Sequence, residues 1–325
     1  MKLQEPKYFY KKWGISTFLL PFSLLYKLVD KLNQLTTKTY KSKAKVICVG
    51  NIVLGGVGKT PVVIKLIELF LKKNIKVGVL SRGYGSKLSS DIPFLIDTKK
   101  HTGIDVGDEP YLIATKYKNV PVCVCKNREN GAKFLENKVD VIIMDDGFQN
   151  YKLAKDIKIC VFDGVSGLSN GYIFPAGPLR QSLKSGLKGV NLAIIMRKSN
   201  PLLETTLKLN GVPVINGITA PTDSVKNFIG KEVIAFAGIG KPEKFYKTLT
   251  DNNINVVDKV SFPDHYAYTQ SDIETLLNLS KLKGLPLLTT MKDYVKLPND
   301  VRKKITPIDI EVKFDNEKIL SEILF

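Results

Sequence analysis

From Lys45 to about Lys198 the chain alternates short, wholly apolar runs with segments of helical period. The runs are Val46–Val49, Val77–Leu80, Val120–Val124, Val139–Met144, Ile157–Phe162 and Leu192–Met196. Runs without polar alternation describe strands covered on both faces, as in a parallel sheet with crossover helices. The pattern predicts an α/β fold with a mostly parallel sheet, whose ligands sit beyond the carboxyl ends of the strands. It restarts near Lys231, with a strand and turn over Val233–Gly240 and then Pro242–Asn252, Val256–Phe262, Ser271–Leu282 and Leu287–Thr290. A main domain over 45–228 and a smaller C-terminal α/β domain over 229–325 are therefore expected. The Gly238-Ile-Gly240 turn reads as a tight turn, because a lone Gly-x-Gly says little about dinucleotides.

Ahead of the first strand, Phe18, Phe22, Leu25, Val29 and Leu32 recur at steps of four and three, one stripe of a helix that Pro21 can open. Tyr8, Phe9, Tyr10 and Trp13 lie just upstream, and residues 1–45 carry ten lysines against Glu5 and Asp30. Over 1–44 this describes either a helix lying in a membrane interface or one whose stripe docks on the protein's own sheet.

The first apolar strand runs into Gly50-Asn-Ile-Val-Leu-Gly-Gly-Val-Gly-Lys-Thr60. Gly55, Gly56, Val57 and Gly58 can turn backbone N–H groups onto phosphate oxygens, Lys59 can reach the β- and γ-phosphates, and Thr60 can hold Mg²⁺. The strict pattern wants a glycine at position 53, where this chain has valine. Strand, glycine turn and the amphipathic Val62–Lys72 segment nonetheless supply the context of a P-loop NTPase core acting on ATP or GTP.

Composition narrows the setting. The 325 residues are 44% hydrophobic, and 49 Lys+Arg against 31 Asp+Glu leave a formal charge of +18, so an anionic partner is expected. No base-reading module accompanies the charge, which argues against nucleic acid. Cys48, Cys123, Cys125 and Cys160 lie in apolar runs without metal-ligand spacing and read as buried thiols in a reducing compartment. No apolar window of 18 residues and no export signal is evident.

Polar clusters follow the strands: Ser81-Arg82-Gly-Tyr84-Gly85, Asp145-Asp146-Gly-Phe-Gln149 and Phe262-Pro-Asp-His265-Tyr266, with Gly107-Asp108-Glu109-Pro110 before a helix. Acids at a strand tip beside a P-loop are the Walker-B arrangement that holds Mg²⁺. Asp108-Glu109 is equally an ordinary helix start, and two histidines, His101 and His265, cannot build a metal cluster.

Taken together, Gly-Asn-Ile-x-x-Gly-Gly-x-Gly-Lys-Thr-Pro (50–61), Ser-Arg-Gly-Tyr-Gly (81–85), Val-Gly-Asp-Glu-Pro (106–110), Asp-Asp-Gly-Phe-Gln (145–149), Pro-Ala-Gly-Pro-Leu-Arg (175–180), Phe-Pro-Asp-His-Tyr (262–266) and Thr-x-Lys-Asp (290–293) occur in the order that resembles the tetraacyldisaccharide 4'-kinase family. The resemblance covers about residues 12–297. It implies a peripheral kinase at the cytoplasmic face of the bacterial inner membrane that moves the ATP γ-phosphoryl, with Mg²⁺, onto the 4'-hydroxyl of a lipid A disaccharide precursor. It further implies that Lys59, Thr60 and Arg180 serve phosphate, that Thr60, Glu109, Asp145 and Asp146 surround the metal, and that Asp108 and His265 form the catalytic pair. Ser81, Arg82, Tyr84 and Gln149 complete the matched site. After Arg180 the family commonly has an acid, whereas this chain has Gln181. Such an acceptor also gives the amino-terminal stripe a reason, since a four-chain lipid leaves the bilayer only at about 0.8 kcal/mol per CH₂.

The alternative is a partitioning-type ATPase working on DNA or membranes. Its phosphate loop needs a leading lysine where Leu54 stands, and it leaves Asp108 and His265 without a role. A GTPase is less suited still, because Thr290-Met-Lys-Asp293 has its lysine one place late for reading guanine.

Overall fold

A computed structural model describes residues 6–264 and 266–325. Its strands are β1 (Lys45–Gly50), β2 (Val77–Ser81), β3 (Phe94–Leu95), β4 (Val122–Val124), β5 (Val141–Asp145), β6 (Ile157–Asp163), β7 (Leu192–Met196), β8 (Val214–Pro221), β9 (Glu232–Ala237), β10 (Asn255–Ser261), β11 (Leu287–Thr290), β12 (Ile305–Ile308) and β13 (Ile310–Phe314). All six expected apolar runs of the first domain are strands, buried as runs covered on both faces must be.

The first sheet has the order β13-β8-β7-β6-β1-β5-β2-β4-β3, and only its edge pairs, β3 with β4 and β13 with β8, are antiparallel. β1 lies between β5 and β6, in register with Val49 beside Asp145. The chain leaves β1 toward β2 on one side and reaches β6 on the other, so the carboxyl tips of β1, β5 and β6 open a crevice where ligands bind in such sheets. The Lys59–Lys72 helix covers one face, burying Val62, Val63, Leu66, Ile67 and Phe70 against Ile47, Val49, Val141 and Ile159.

The second sheet, β10-β9-β11-β12, is parallel throughout and packs between the Pro242–Asp251 and Gln270–Lys283 helices. The boundary differs from the 229–325 expected of the sequence. β13 and the Glu317–Leu324 helix return to the first sheet, where Leu320 and Leu324 join the core formed with Leu66 and Phe70. A short edge strand with only Val312 buried carries no signal of which sheet it extends. The lobes meet where Val295 packs against Tyr111, Leu112 and Val106.

The amino-terminal stripe forms the Leu20–Thr36 helix, with Pro21 in its first turn. Phe18, Phe22, Leu25, Val29 and Leu32 are all more than half exposed, and so are Trp13, Leu24, Leu28 and Leu35. The helix docks by its polar side instead. Ser23, its one buried residue, donates to the Ile173 carbonyl at 2.7 Å and accepts the Ala176 N–H at 3.1 Å. Asp30 accepts from the Tyr151 hydroxyl at 3.0 Å and from Gln181 at 3.2 Å. The reading in which the stripe packs on the sheet is thereby excluded. Among the described residues no helix is long and apolar enough to cross a membrane.

Candidate active site

The turn after β1 is built to face an anion. Gly58 caps the Lys59–Lys72 helix at φ 90°, a left-handed conformation that a side chain would strain, and Gly55 stands at φ 111°. Nothing but glycine fits at Gly50 either, since a Cβ there would lie 2.3 Å from the Phe148 ring, so the Asp145–Gln149 loop rests directly on the P-loop strand. Buried Asn51 braces the turn from inside by donating to the Val53 carbonyl. Thr60 is buried at the start of the helix.

Around this turn the expected cations and acids converge. Lys59 Nζ lies 3.5 Å from Asp146 Oδ2 and 3.3 Å from Asn51 Oδ1. Arg180 pairs with the other Asp146 oxygen at 3.2 Å and donates to Gln149 Oε1 at 3.2 Å, while the Gln149 amide donates to the Asn51 carbonyl at 3.0 Å. The two cations expected on phosphate are thus held by one carboxylate, an arrangement an incoming polyphosphate can replace at little cost. Asp145 points inward. Only 5% exposed, it has an Oδ1 with no hydrogen-bond partner among the described residues, and burial, followed by the Glu109 charge, pushes its carboxyl up to about 7. An orphaned, buried carboxylate oxygen suits a hard cation. Among the described residues no three His, Cys, Asp or Glu side chains form a metal cluster, so phosphate and water must complete any Mg²⁺ shell.

Asp108 and Glu109 open the Asp108–Lys116 helix, where negative charge is favoured. The smaller lobe faces both: Lys296 Nζ is 3.9 Å from Asp108 Oδ2, and Lys292 Nζ is 3.5 Å from Glu109 Oε1. His265 lies outside the described residues. Ser81 is buried at the tip of β2, whereas Arg82 and Tyr84 are exposed, Tyr84 almost completely.

Comparison with known proteins adds a decisive observation. The sequence profile of the family described as "LpxK: Tetraacyldisaccharide-1-P 4'-kinase" matches residues 15–325. The chain belongs to the tetraacyldisaccharide 4'-kinase family. Its curated relatives include a tetraacyldisaccharide 4'-kinase from Rickettsia canadensis, 37% identical over the whole of this chain and 98% of that one. Another, from Rhodospirillum rubrum, is 35% identical over 96% of this chain and 94% of the relative. Among solved structures, the "apo" form of LpxK from Aquifex aeolicus in complex with ATP superposes with a TM-score of 0.74 at 28% identity, covering 96% of this chain and 98% of that one. The chain is an ATP-dependent kinase of lipid A biosynthesis, and the partitioning-type ATPase is not favoured.

Three cations of this kinase carry no motif and escape sequence reasoning. Arg197, at the end of β7, donates to the Gly56 carbonyl at 2.9 Å and pairs with Asp163 at 2.7 Å, gripping the P-loop from the neighbouring strands. Arg128, nearly fully buried, donates to the carbonyls of Cys125 at 2.7 Å and Asp145 at 3.3 Å, and burial weakens its hold on its proton. Lys296 is the third. Gln181 resolves differently from a phosphate-site residue: it is buried against the amino-terminal helix, bonded to Asp30 and to the Tyr151 hydroxyl at 2.5 Å.

Proposed function

We propose that this kinase transfers the ATP γ-phosphoryl to the 4'-hydroxyl of a tetraacylated glucosamine disaccharide 1-phosphate, working as a peripheral protein on the cytoplasmic face of an anionic inner membrane. The observation that carries the reading is the single cluster formed by the P-loop, Lys59, Asp146, Arg180 and Gln149 at the tips of β1 and β5. In this reading the backbone N–H groups of residues 55–58 and the Lys59 ammonium bind the β- and γ-phosphates, and Arg180 leaves Asp146 to neutralise charge that develops in transfer. Thr60, Asp145, Asp146 and Glu109 are the residues that hold Mg²⁺, which supplies neutralisation of the phosphate oxygens when bound.

Asp108 with His265 accepts the proton that the 4'-hydroxyl loses as its oxygen bonds to the γ-phosphorus and the bond to ADP breaks. Ser81, Arg82, Tyr84 and Gln149 line the approach. The exposed apolar stripe of the Leu20–Thr36 helix lies in the interface and brings the crevice to an acceptor whose acyl chains stay in the bilayer.

The test is to follow ³²P from the γ-position of ATP onto the purified acylated disaccharide 1-phosphate. One phosphate is expected to enter at the 4'-position in wild type. Asp108→Ala should slow transfer by roughly two orders of magnitude or more with ATP still bound. Label appearing elsewhere on the sugar, or turnover stimulated by DNA and indifferent to the sugar, would remove the reading.

A further inference from the structure

Of the Thr290-Met-Lys-Asp293 motif, Lys292 reaches the edge of the proposed metal site, its Nζ 3.5 Å from Glu109 Oε1, while Thr290 and Asp293 serve the smaller lobe. Thr290 closes β11, and Asp293, fully buried, accepts the Gly238 N–H at 3.0 Å and the Thr290 hydroxyl at 2.7 Å on one carboxylate oxygen. The other oxygen faces Lys296 Nζ at 3.3 Å. Lys296 is no ordinary surface lysine. Its side chain is 10% exposed, and the residue before it, Val295, is packed into the seam between the lobes.

A buried ammonium costs several kcal/mol unless carboxylates surround it. Lys296 takes one from each lobe. Asp293, held by a backbone N–H and a hydroxyl, is the fixed arm, so Lys296 is oriented by the smaller lobe and presents its charge to Asp108 of the larger one, 3.9 Å away. Adhesion between the lobes does not require this pair. Val295 against Tyr111 and Leu112 already closes the seam, and Lys116 pairs with Asp309, which follows β12, at 2.6 Å.

We propose that Lys296 is a positioning residue for the transfer reaction, with the buried Asp293 holding its ammonium so that the Asp108 carboxylate is aligned only when the smaller lobe is docked. The proposal rests on Asp108 belonging to the catalytic pair. Lys296 touches neither nucleotide nor sugar in this account and acts through Asp108 alone.

A double-mutant cycle tests it. Lys296→Met keeps the apolar stem and removes the charge; kcat should fall about tenfold or more while KM for ATP stays within about threefold, and Lys296→Arg should recover most of the loss. In the Asp108→Asn background, adding Lys296→Met should lower kcat by less than about twofold, because the residue it acts through is already gone. If Lys296→Met melts early, Lys296→Gln reads the same cycle. A slow Asp108→Asn beside a Lys296→Met of wild-type turnover overturns the proposal alone, as does a loss that multiplies fully in the Asp108→Asn background. Wild-type turnover in Asp108→Asn would remove the catalytic role of Asp108 and this proposal with it.

Discussion

Two amphipathic helices of this chain use the same period to opposite ends. The Lys59–Lys72 helix turns its apolar face to the sheet and buries Val62, Val63, Leu66, Ile67 and Phe70. The Leu20–Thr36 helix turns its apolar face outward and buries only Ser23. Periodicity finds a face without saying what the face meets. What decides is the complement: strands β1, β5 and β6 offer the first helix an apolar floor, whereas the 173–181 segment and Tyr151 offer the second helix a carbonyl, an N–H, an amide and a hydroxyl. The buried helix anchors the phosphate turn. The inverted one leaves an apolar stripe exposed, which in the proposed function meets a lipid surface.

The contrast is broken most severely at the first helix's opening residue. Lys59→Ala should lower phosphoryl transfer by about a thousandfold or more with unchanged circular dichroism, because the ammonium proposed to meet the phosphates is gone; near-normal transfer would remove the P-loop assignment. Next, Leu66→Ala should cost about 2–5 kcal/mol in denaturant melts, while Leu25→Ala, equally apolar and equally periodic, should cost less than about 0.5 kcal/mol. Equal costs would mean that the stripe is buried in solution.

Ser23→Ala sharpens the same comparison from the polar side. It strands the Ala176 N–H and leaves the Ile173 carbonyl with only the Gly177 N–H, so a loss of about 1–3 kcal/mol is expected, more than any single leucine of the stripe contributes. The smallest effect concerns pH. Burial holds the Asp145 carboxyl near 7, above its ordinary value of 3.8, so the folded chain binds more protons than the unfolded one between those values and ligand-free stability falls as pH rises through that window. Asp145→Asn should therefore melt a few degrees higher than wild type at pH 8 and equally at pH 4, while losing the stabilisation that Mg²⁺ with ATP confers. A variant less stable than wild type at pH 8 would show that the carboxylate has a partner.

What was legible in the sequence follows from these physics. The P-loop and the Asp145-Asp146 tip announce themselves because a backbone anion cradle needs glycines and an apolar strand needs no polar alternation. In the second sheet β9 and β11 are visible for the same reason, β10 shows itself by alternation instead, and β12 is not signalled. The return of β13 to the first sheet is not signalled either, because a five-residue edge strand with one buried side chain extends either sheet equally well. Arg197 and Lys296 are silent because each reaches a carbonyl or carboxylate far away in the chain, and Arg128 because its partners are main-chain carbonyls; a lone cation has no spacing to betray it. The period of the amino-terminal segment predicts its helix, but the orientation depends on Ser23 and Asp30 finding partners more than a hundred residues away.

The division of labour between the two helices is tested most directly by assaying one multiple variant on two acceptors. Phe22, Leu25, Val29 and Leu32 are all replaced by serine, and transfer from ATP is measured onto an acceptor embedded in anionic vesicles and onto a short-chain, monodisperse one. Transfer to the embedded acceptor should fall about tenfold or more, with the soluble acceptor turned over within about twofold of wild type. Equal turnover on both, or equal loss on both, would contradict the account.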